Sequence, residues 1–553
     1  MRLIHPLLGC VLAALPYAVH AATAPDAGQS LQSLDQQPLA LPERQTLELN
    51  LPSAPATQAA SGGPTLVVKG FILEGNSAFP DQELQQLLKD LRGRSLTLAQ
   101  LQAGLQRITE LYQAHGYPLA RAYLPAQSID DGQVRVAILE GRYGAVRAEH
   151  AVDLQGFALA PLAPLAQLVP GEPIKADPLT RSLLLLQEVP GRDAKATLQP
   201  GATTGTSDLV VDMGPATLWS GSVDADNYGN RFIGEYRLGG TLNVNNPLAL
   251  GDRLSLRATV SDEDQRYGRI AYQLPVTPWS TQLGVAYSDM DYRLAKDFAD
   301  LDAHGRAQVA SVFAVQPLIR QRGLTLDTQL QFDAKRLRDD IDAFSERSDK
   351  HSRVTTLSLN GSSQDSLLGG GVNSFALAWS HGDQDISGAD QRRQDQTTAG
   401  TRGQFNKISP SLVRLQRLTE RFSLYTQLQA QWADRNLDSS EKFYLGGAYG
   451  VRAYPQGEAS GDEGWLANVE LRYALTQAWQ LSTFVDHGEV RLNRDPWTTE
   501  DNHRSLSGAG VGATWNAYGW RVNAVAAWKL GNAEPTSDVD RSPRVWAQVV
   551  RFF

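Results

Sequence analysis

The stretch Tyr236-Arg237-Leu238-Gly239-Gly240-Thr241-Leu242-Asn243-Val244-Asn245 decides the fold class. Tyr236, Leu238, Leu242 and Val244 fall on one side of an extended chain, and Arg237, Thr241, Asn243 and Asn245 on the other. A period of two with one apolar face is that of a β-strand, not a helix. The pattern recurs down the chain. In Leu424 to Trp432, Gln427, Gln429 and Gln431 share a face with Tyr425. In Trp520 to Trp528 the apolar face carries an aromatic at each end. From Ala216 to Phe553 there is almost no helical period.

Two architectures use such strands. A soluble sandwich alternates too, but its strands average about five to six residues. Segments of about nine to eleven residues match a bilayer crossed at a tilt, and terminal aromatics fit interfacial girdles. The start of the chain supports the second reading. Arg2 gives a positive region, Leu7 to Val19 an apolar one, and Val19-His20-Ala21 a small-residue cleavage site, so residues 1–21 read as a signal peptide. Leu7-Leu8-Gly9-Cys10 offers a lipobox as the alternative, although about half of the apolar run follows Cys10 when it should precede it. The expectation is a bacterial outer-membrane barrel over 215–553, with its modules in the periplasm.

Sixteen segments are expected: 217–226, 235–246, 253–261, 269–276, 281–289, 307–316, 324–333, 352–361, 372–382, 402–408, 422–432, 465–475, 479–488, 506–514, 519–530 and 544–553. An even number closes a single-chain barrel. Gaps after even-numbered segments are mostly short (Thr277 to Ser280), and gaps after odd-numbered ones are mostly long from the fifth onward (Met290 to Arg306, Asp383 to Thr401). Short turns belong to the periplasmic side and long loops to the outside. The longest gap, 433–464, is the sixth outer loop and holds Gly447-Ala448-Tyr449-Gly450-Val451-Arg452-Ala453-Tyr454.

Before the barrel the chain reads differently. Residues 22–64 are rich in Gln, Pro and Ala and read as a flexible tail, in which Ser30 to Gln37 leave room for two helical turns at most. Residues 65–141 read as strand, helix, helix, strand, strand. Pro80 opens the first helix at its N1 position. Thr97 and Gln100 form a capping box for the second, with Leu101, Leu105, Ile108 and Tyr112 on one face. Residues 142–214 repeat the order, with Asp177-Pro178 as an N-cap and N1 pair.

Composition bounds the chemistry. The chain has 553 residues, 42% of them hydrophobic, and a formal charge of −9 with acids and bases interspersed. That balance gives no support to nucleic-acid binding, which needs a basic face. Cys10 is the only cysteine, so the processed chain would form no disulfide and no thiolate metal site. No second window approaches about 18 consecutive apolar residues, as a transmembrane helix requires. There is no Gly-x-Ser-x-Gly elbow, no His-Glu-x-x-His and no phosphate loop, so no catalytic residues, metal ligands or cofactor are expected and the chain does not read as an enzyme. His487 beside Asp486 reads as structural, and Asp383 to Asp395 as a solvated loop rather than a calcium site.

Two tandem βααββ modules before a sixteen-stranded barrel resemble the two-partner secretion transporters (TpsB), and the modules resemble POTRA domains. Two motifs carry the likeness. The family's Val-Arg-Gly-Tyr in the sixth loop reads Val451-Arg452-Ala453-Tyr454 here. Its Phe-x-Asp-x-Gly reads Phe484-Val485-Asp486-His487-Gly488, on the thirteenth strand. The resemblance implies that the loop tucks into the barrel and that Arg452 pairs with Asp486 on the inner wall. Physics agrees: a carboxylate facing lipid is costly, so Asp486 faces the lumen. A guanidinium grips a carboxylate through two parallel bonds. Gly488 leaves room for close backbone approach. Ala453 departs from the family's glycine, and adds strain if its φ is positive. The resemblance also implies an N-terminal helix that plugs the barrel, for which Ser30 to Gln37 offer a short candidate without a strong amphipathic pattern.

The resemblance further implies transport of a partner exoprotein, whose N-terminal secretion domain binds the POTRA modules before the chain passes through the lumen. Outer-membrane lipid and the outer-membrane assembly machinery are the other expected partners. Phe553 reads as the terminal aromatic of an assembly signal, which Arg551 fits poorly. The alternative function is an assembly factor that inserts other barrels, although such relatives usually carry more POTRA modules. A passive porin would need neither the modules nor the long sixth loop.

Overall fold

A computed structural model describes residues 24–35, 39–41, 49–50, 64–129, 131–149 and 156–553. The expected signal peptide and most of the expected tail lie outside them. Sixteen antiparallel strands close into one barrel in chain order, each beside its sequence neighbour. All sixteen expected segments are strands. The first, Trp219–Asp226, meets the last, Arg544–Phe552, through Ser222 to Asp226 paired with Phe552 to Gln548. Phe553 exchanges both backbone bonds with Gly221 and so completes the seam.

The outer surface carries an apolar belt that includes Leu238, Val285, Val312, Leu330, Leu357, Trp379, Ile408, Trp432 and Val511, all exposed. Inward positions are polar. Gln427 and Gln431, from the alternating stretch singled out above, are buried in the lumen. Arg551 stands on the outer face with its guanidinium over the Trp520 ring at 5.6 Å, at the periplasmic rim. There a long cationic side chain reaches the interface instead of crossing the belt.

Loop lengths differ from the expectation. Strands 6 to 9 (Ala303–Gln321, Leu324–Ile341, Glu346–Asp365 and Gly371–Ile386) have 19, 18, 20 and 16 residues. Their ladders continue beyond the belt, so much of the expected outer loops is paired strand. Above the bilayer the outward face meets water and turns polar, while inward Ala303 and Leu337 pack in the cluster around α1 (Ala27–Asp35), so the apolar-outward pattern ends although hydrogen bonding does not.

In the first module, Gly70–Glu74, Gln133–Leu139 and Arg121–Tyr123 form the sheet. Helices Asp81–Leu87 and Leu98–Ala114 pack on it through Leu84, Leu88, Leu101, Leu105, Ile108 and Tyr112. Thr97 and Gln100 make both bonds of the capping box. Pro80 is the N-cap rather than N1, and it lacks a backbone donor in either place. The expected first strand is broken at Val68-Lys69, where the backbone changes partner: Thr65–Val67 pairs with Ser95–Thr97, and the Lys69 amide turns to the Gly132 carbonyl.

The second module repeats the order with Arg142–Glu149, a 3₁₀ stretch Gly156–Gln167, helix Ala176–Gln187, and strands Lys195–Pro200 and Thr206–Asp212. The helix starts two residues before the expected pair. Lys175 is its N-cap, which places Asp177 in the first turn, where a carboxylate offsets the helix dipole. Arg320, near the end of strand 6, holds this module to the barrel. Its guanidinium binds Glu188 at 2.5 Å and Asp327 at 2.6 Å.

The described residues of the tail include one helix. Ala27–Asp35 is a helix, here α1, that lies inside the barrel among Tyr267, Met290, Tyr292, Ala307 and Leu337. The Asp26 carboxylate caps it by accepting from the Gln29 amide at 2.8 Å. The short helix expected near Ser30 is thus present and starts three residues earlier, and tertiary packing rather than propensity stabilises so short a helix. Further on, the Ala40 carbonyl accepts from Ser374 on strand 9, and Leu49–Asn50 pairs in parallel with Ala196 and Thr197 of the second module.

Candidate functional site in the barrel lumen

Loop 6 joins strand 11 (Phe422–Ala433) to strand 12 (Glu463–Ala474) and folds back inside the barrel. A short pair, Phe443–Tyr444 with Ser460–Gly461, closes its base. Val451, Ala453 and Tyr454 are buried at its tip among Leu466, Phe484, Val490, Leu506 and Trp546. The loop is therefore packed like a core.

Arg452 meets Asp486 as expected. Its Nε donates to one carboxylate oxygen at 2.9 Å and its Nη2 to the other at 2.8 Å, which is the bidentate geometry. The Arg452 backbone amide adds a third bond to the same carboxylate at 3.0 Å. Asp486 sits on strand 13 (Trp479–Arg491) and is fully buried. Phe484, two residues away on the same inward face, lies flat against the guanidinium, with its ring centroid 3.3 Å from Cζ. Gly488 is the next inward position. A side chain there would run into Leu445 of the loop and the Trp465 carbonyl. Arg452, Phe484 and Asp486 thus meet in one contact; Val451 and Tyr454 are buried in the cluster around it, Gly488 faces Leu445 of the loop, and Phe553 lies apart at the seam.

Three members were not foreseen. Glu470 on strand 12 accepts from Arg452 Nη1 at 2.9 Å and from Arg472 Nε at 2.9 Å. Asn468 donates to both Asp486 at 2.8 Å and the Gly450 carbonyl at 3.0 Å. Trp546 on the last strand donates its indole N–H to the Arg452 carbonyl at 2.7 Å. Asn468 and Glu470 stand opposite Asp486 and Phe484 in the ladder. Alternation within strand 12 marks both as inward, but register alone puts them beside Arg452. One cation thus faces two buried carboxylates, and Arg472 compensates the second. Removing Arg452 strands Asp486 without a counter-charge, a situation that costs about 3–5 kcal/mol in buried pairs.

Ala453 is unstrained. Its φ is not positive, so the strain conditional on a left-handed backbone does not arise. The α1 helix bears on the same loop: Asp26 accepts from Ser439 Oγ at 2.7 Å, and Gln32 donates to the Lys442 carbonyl at 2.5 Å.

His487 points outward against Trp465, with ring centroids 5.1 Å apart, away from the lumen. In the loop read as solvated, Asp395 accepts from the backbone amides of Thr401 and Arg402. Among the described residues, no group of three or more His, Cys, Asp or Glu side chains is arranged to hold a metal.

Comparison with known proteins fits this geometry. The model of the family described as haemolysin secretion/activation protein ShlB/FhaC/HecB matches residues 205–515, and that of the ShlB-type POTRA domain matches residues 66–141. The heme/hemopexin transporter protein HuxB of Haemophilus influenzae is 27% identical, over 98% of this chain and 97% of its own. The outer membrane transporter CdiB of Escherichia coli O6:K15:H31 is 26% identical, over 82% of this chain and 78% of its own. Among solved structures, CdiB from Escherichia coli superposes with a TM-score of 0.69 at 21% identity, covering 96% of each chain. BamA from Haemophilus ducreyi lacking POTRA domains 1–3 reaches 0.54 at 14%, covering 88% of this chain and all of the other. A POTRA domain, a closed sixteen-stranded barrel and a family match over more than half of its length make this chain a member of the ShlB/FhaC/HecB family, an outer-membrane transporter of two-partner secretion with its N-terminal modules in the periplasm.

Proposed function

We propose that this transporter receives an unfolded exoprotein on its two periplasmic modules, the second being a POTRA domain like the first, and passes it through the lumen to the cell surface. An extended polypeptide can join an exposed sheet edge through backbone hydrogen bonds, which suits the modules to that receptor role. In the resting state α1 plugs the lumen and loop 6 is held inward. The bidentate Arg452-Asp486 contact carries this reading. It joins a loop tip to a wall residue 34 positions away, and breaking it lets the tip move without unfolding the barrel. No nucleotide chemistry is needed. Folding of the exoprotein outside the cell supplies direction.

The test is Arg452→Ala, expressed with the exoprotein that the wild type secretes. Secretion should fall sharply, while the barrel keeps the heat-modifiable electrophoretic mobility of an inserted protein. Wild-type secretion by the inserted variant overturns the role.

A further inference from the structure

Loop 6 has a second anchor, six residues past Arg452. Glu458 is fully buried, on the returning limb of the loop. Its carboxylate accepts from the Thr536 amide at 2.9 Å, Thr536 Oγ1 at 3.0 Å, the Ser537 amide at 2.8 Å, Ser537 Oγ at 2.6 Å and Arg504 Nη2 at 2.6 Å. Thr536 and Ser537 belong to loop 8, between Lys529 and Arg544, and Arg504 to strand 14, His503–Ala517. Tyr454, at the tip, donates to the Ala533 carbonyl of the same loop at 3.0 Å.

Loop 8 is itself tied down by two ion pairs. Asp538 pairs with Arg544 at the start of the last strand at 3.0 Å, and Arg541 pairs with Glu235 of loop 1. A carboxylate so enclosed has no water to fall back on, and its bonds to charged or oriented donors are of the stronger class.

We propose that Glu458 and the Thr536-Ser537 pair form an extracellular latch that positions loop 6 independently of the Arg452-Asp486 contact. The wall contact holds the tip from the side of strands 12 and 13. The latch holds the returning limb from strand 14 and loop 8. Clearing the lumen through loop 6 then requires both to part. This inference rests on loop 6 being the element that moves.

The experiment uses the full-length protein in outer membranes. Cys10, in the expected signal peptide, is the only cysteine, so Ala459→Cys adds one reporter beside the latch, where Ala459 is buried. Labelling by a membrane-impermeant maleimide is followed in that background and after adding Glu458→Ala. The latch predicts labelling at least about tenfold faster, the factor that corresponds to about 1.4 kcal/mol. The pair Thr536→Val and Ser537→Ala removes the two hydroxyl bonds and should speed labelling in the same direction by a smaller factor, and it carries the test if Glu458→Ala does not assemble, because it leaves the carboxylate with Arg504 and the two backbone amides. In a separate chain without the reporter, Glu458→Cys with Ser537→Cys should give low ion conductance when oxidised and frequent openings when reduced. Unchanged labelling in both latch variants, with heat-modifiable mobility intact, overturns the proposal. The labelling needs no exoprotein. A loop that is freed yet secretes normally would therefore count against loop 6 as the moving element, not against the latch.

Discussion

The Cβ of Ala453 occupies the space that a side chain on Gly508 would need: an ideal Cβ on Gly508 would lie 2.7 Å from it. The family's glycine at the loop tip is replaced by alanine here, and the wall opposite is glycine. Gly508 faces inward on strand 14, paired with Asp486, so it sits beside the Arg452 contact.

Gly508→Ala should therefore push the tip from the wall and reduce secretion several-fold, at about 1–3 kcal/mol of overpacking. Adding Ala453→Gly should restore most of the loss. Single and double variants, compared by exported protein per inserted transporter, check this. A double variant no better than Gly508→Ala alone removes the steric account.

Arg452→Lys keeps the charge and loses the planar fork. A lysine cannot bind both Asp486 oxygens while lying flat on Phe484 and reaching Glu470. The expected cost is about 1–3 kcal/mol, the range for leaving buried polar groups without partners. Secretion should fall between the wild-type and Arg452→Ala levels, read in the same export assay. Full activity would mean that charge alone holds the tip.

Gly28 lets α1 press against loop 6. A Cβ at this position would overlap Ser439 Oγ and come 2.7 Å from the Ser440 amide nitrogen. Gly28→Val should unseat the helix without touching the barrel wall. Planar-bilayer recordings should then show more frequent and larger openings than wild type. An unchanged conductance would mean that α1 does not limit the pore.

Glu140, at the end of the first module, is buried. It accepts from the Ser77 and Ala78 amides, Ser77 Oγ, Tyr112 OH and Arg142. Burial alone would raise its pKa, but the bonds from Ser77, Ala78 and Tyr112 outweigh it and hold the carboxyl below the ordinary glutamate value. The sign follows. A carboxyl depressed in the folded state stabilises the module above its unfolded pKa, and that stability is lost as pH falls through the lower folded value. Glu140→Gln puts an amide donor among the donors, and should cost about 1–3 kcal/mol and flatten the acid limb. Thermal melts of the wild-type and Glu140→Gln transporters across the acid range, followed at the modules, check both. Equal acid slopes would exclude Glu140 as their source.

The barrel was legible because lipid writes on one face of each strand. Wherever the bilayer touches, alternation is enforced, and strands such as Arg253–Ser261 were located to the residue. Above the belt that constraint ends, and the tall strands 6 to 9 hid inside expected loops. Helix α1 was half hidden for a similar reason. Its apolar residues meet a lumen built from strands more than two hundred residues away, and nine residues hold too little pattern to announce that.

Residue spacing by itself determined the number of strands, their direction, the inward facing of Asp486 and the depth of loop 6 in the chain, because all of these follow from a period of two and from counting. What tertiary structure alone decided is who stands beside whom. The register of strand 12 against strand 13 brought Glu470 to Arg452, the meeting of strand 14 with the loop tip made Gly508 the partner of Ala453, and the fold of loop 8 enclosed Glu458. Such contacts join residues far apart in sequence, and a linear pattern carries polarity along the chain but not distance across a lumen.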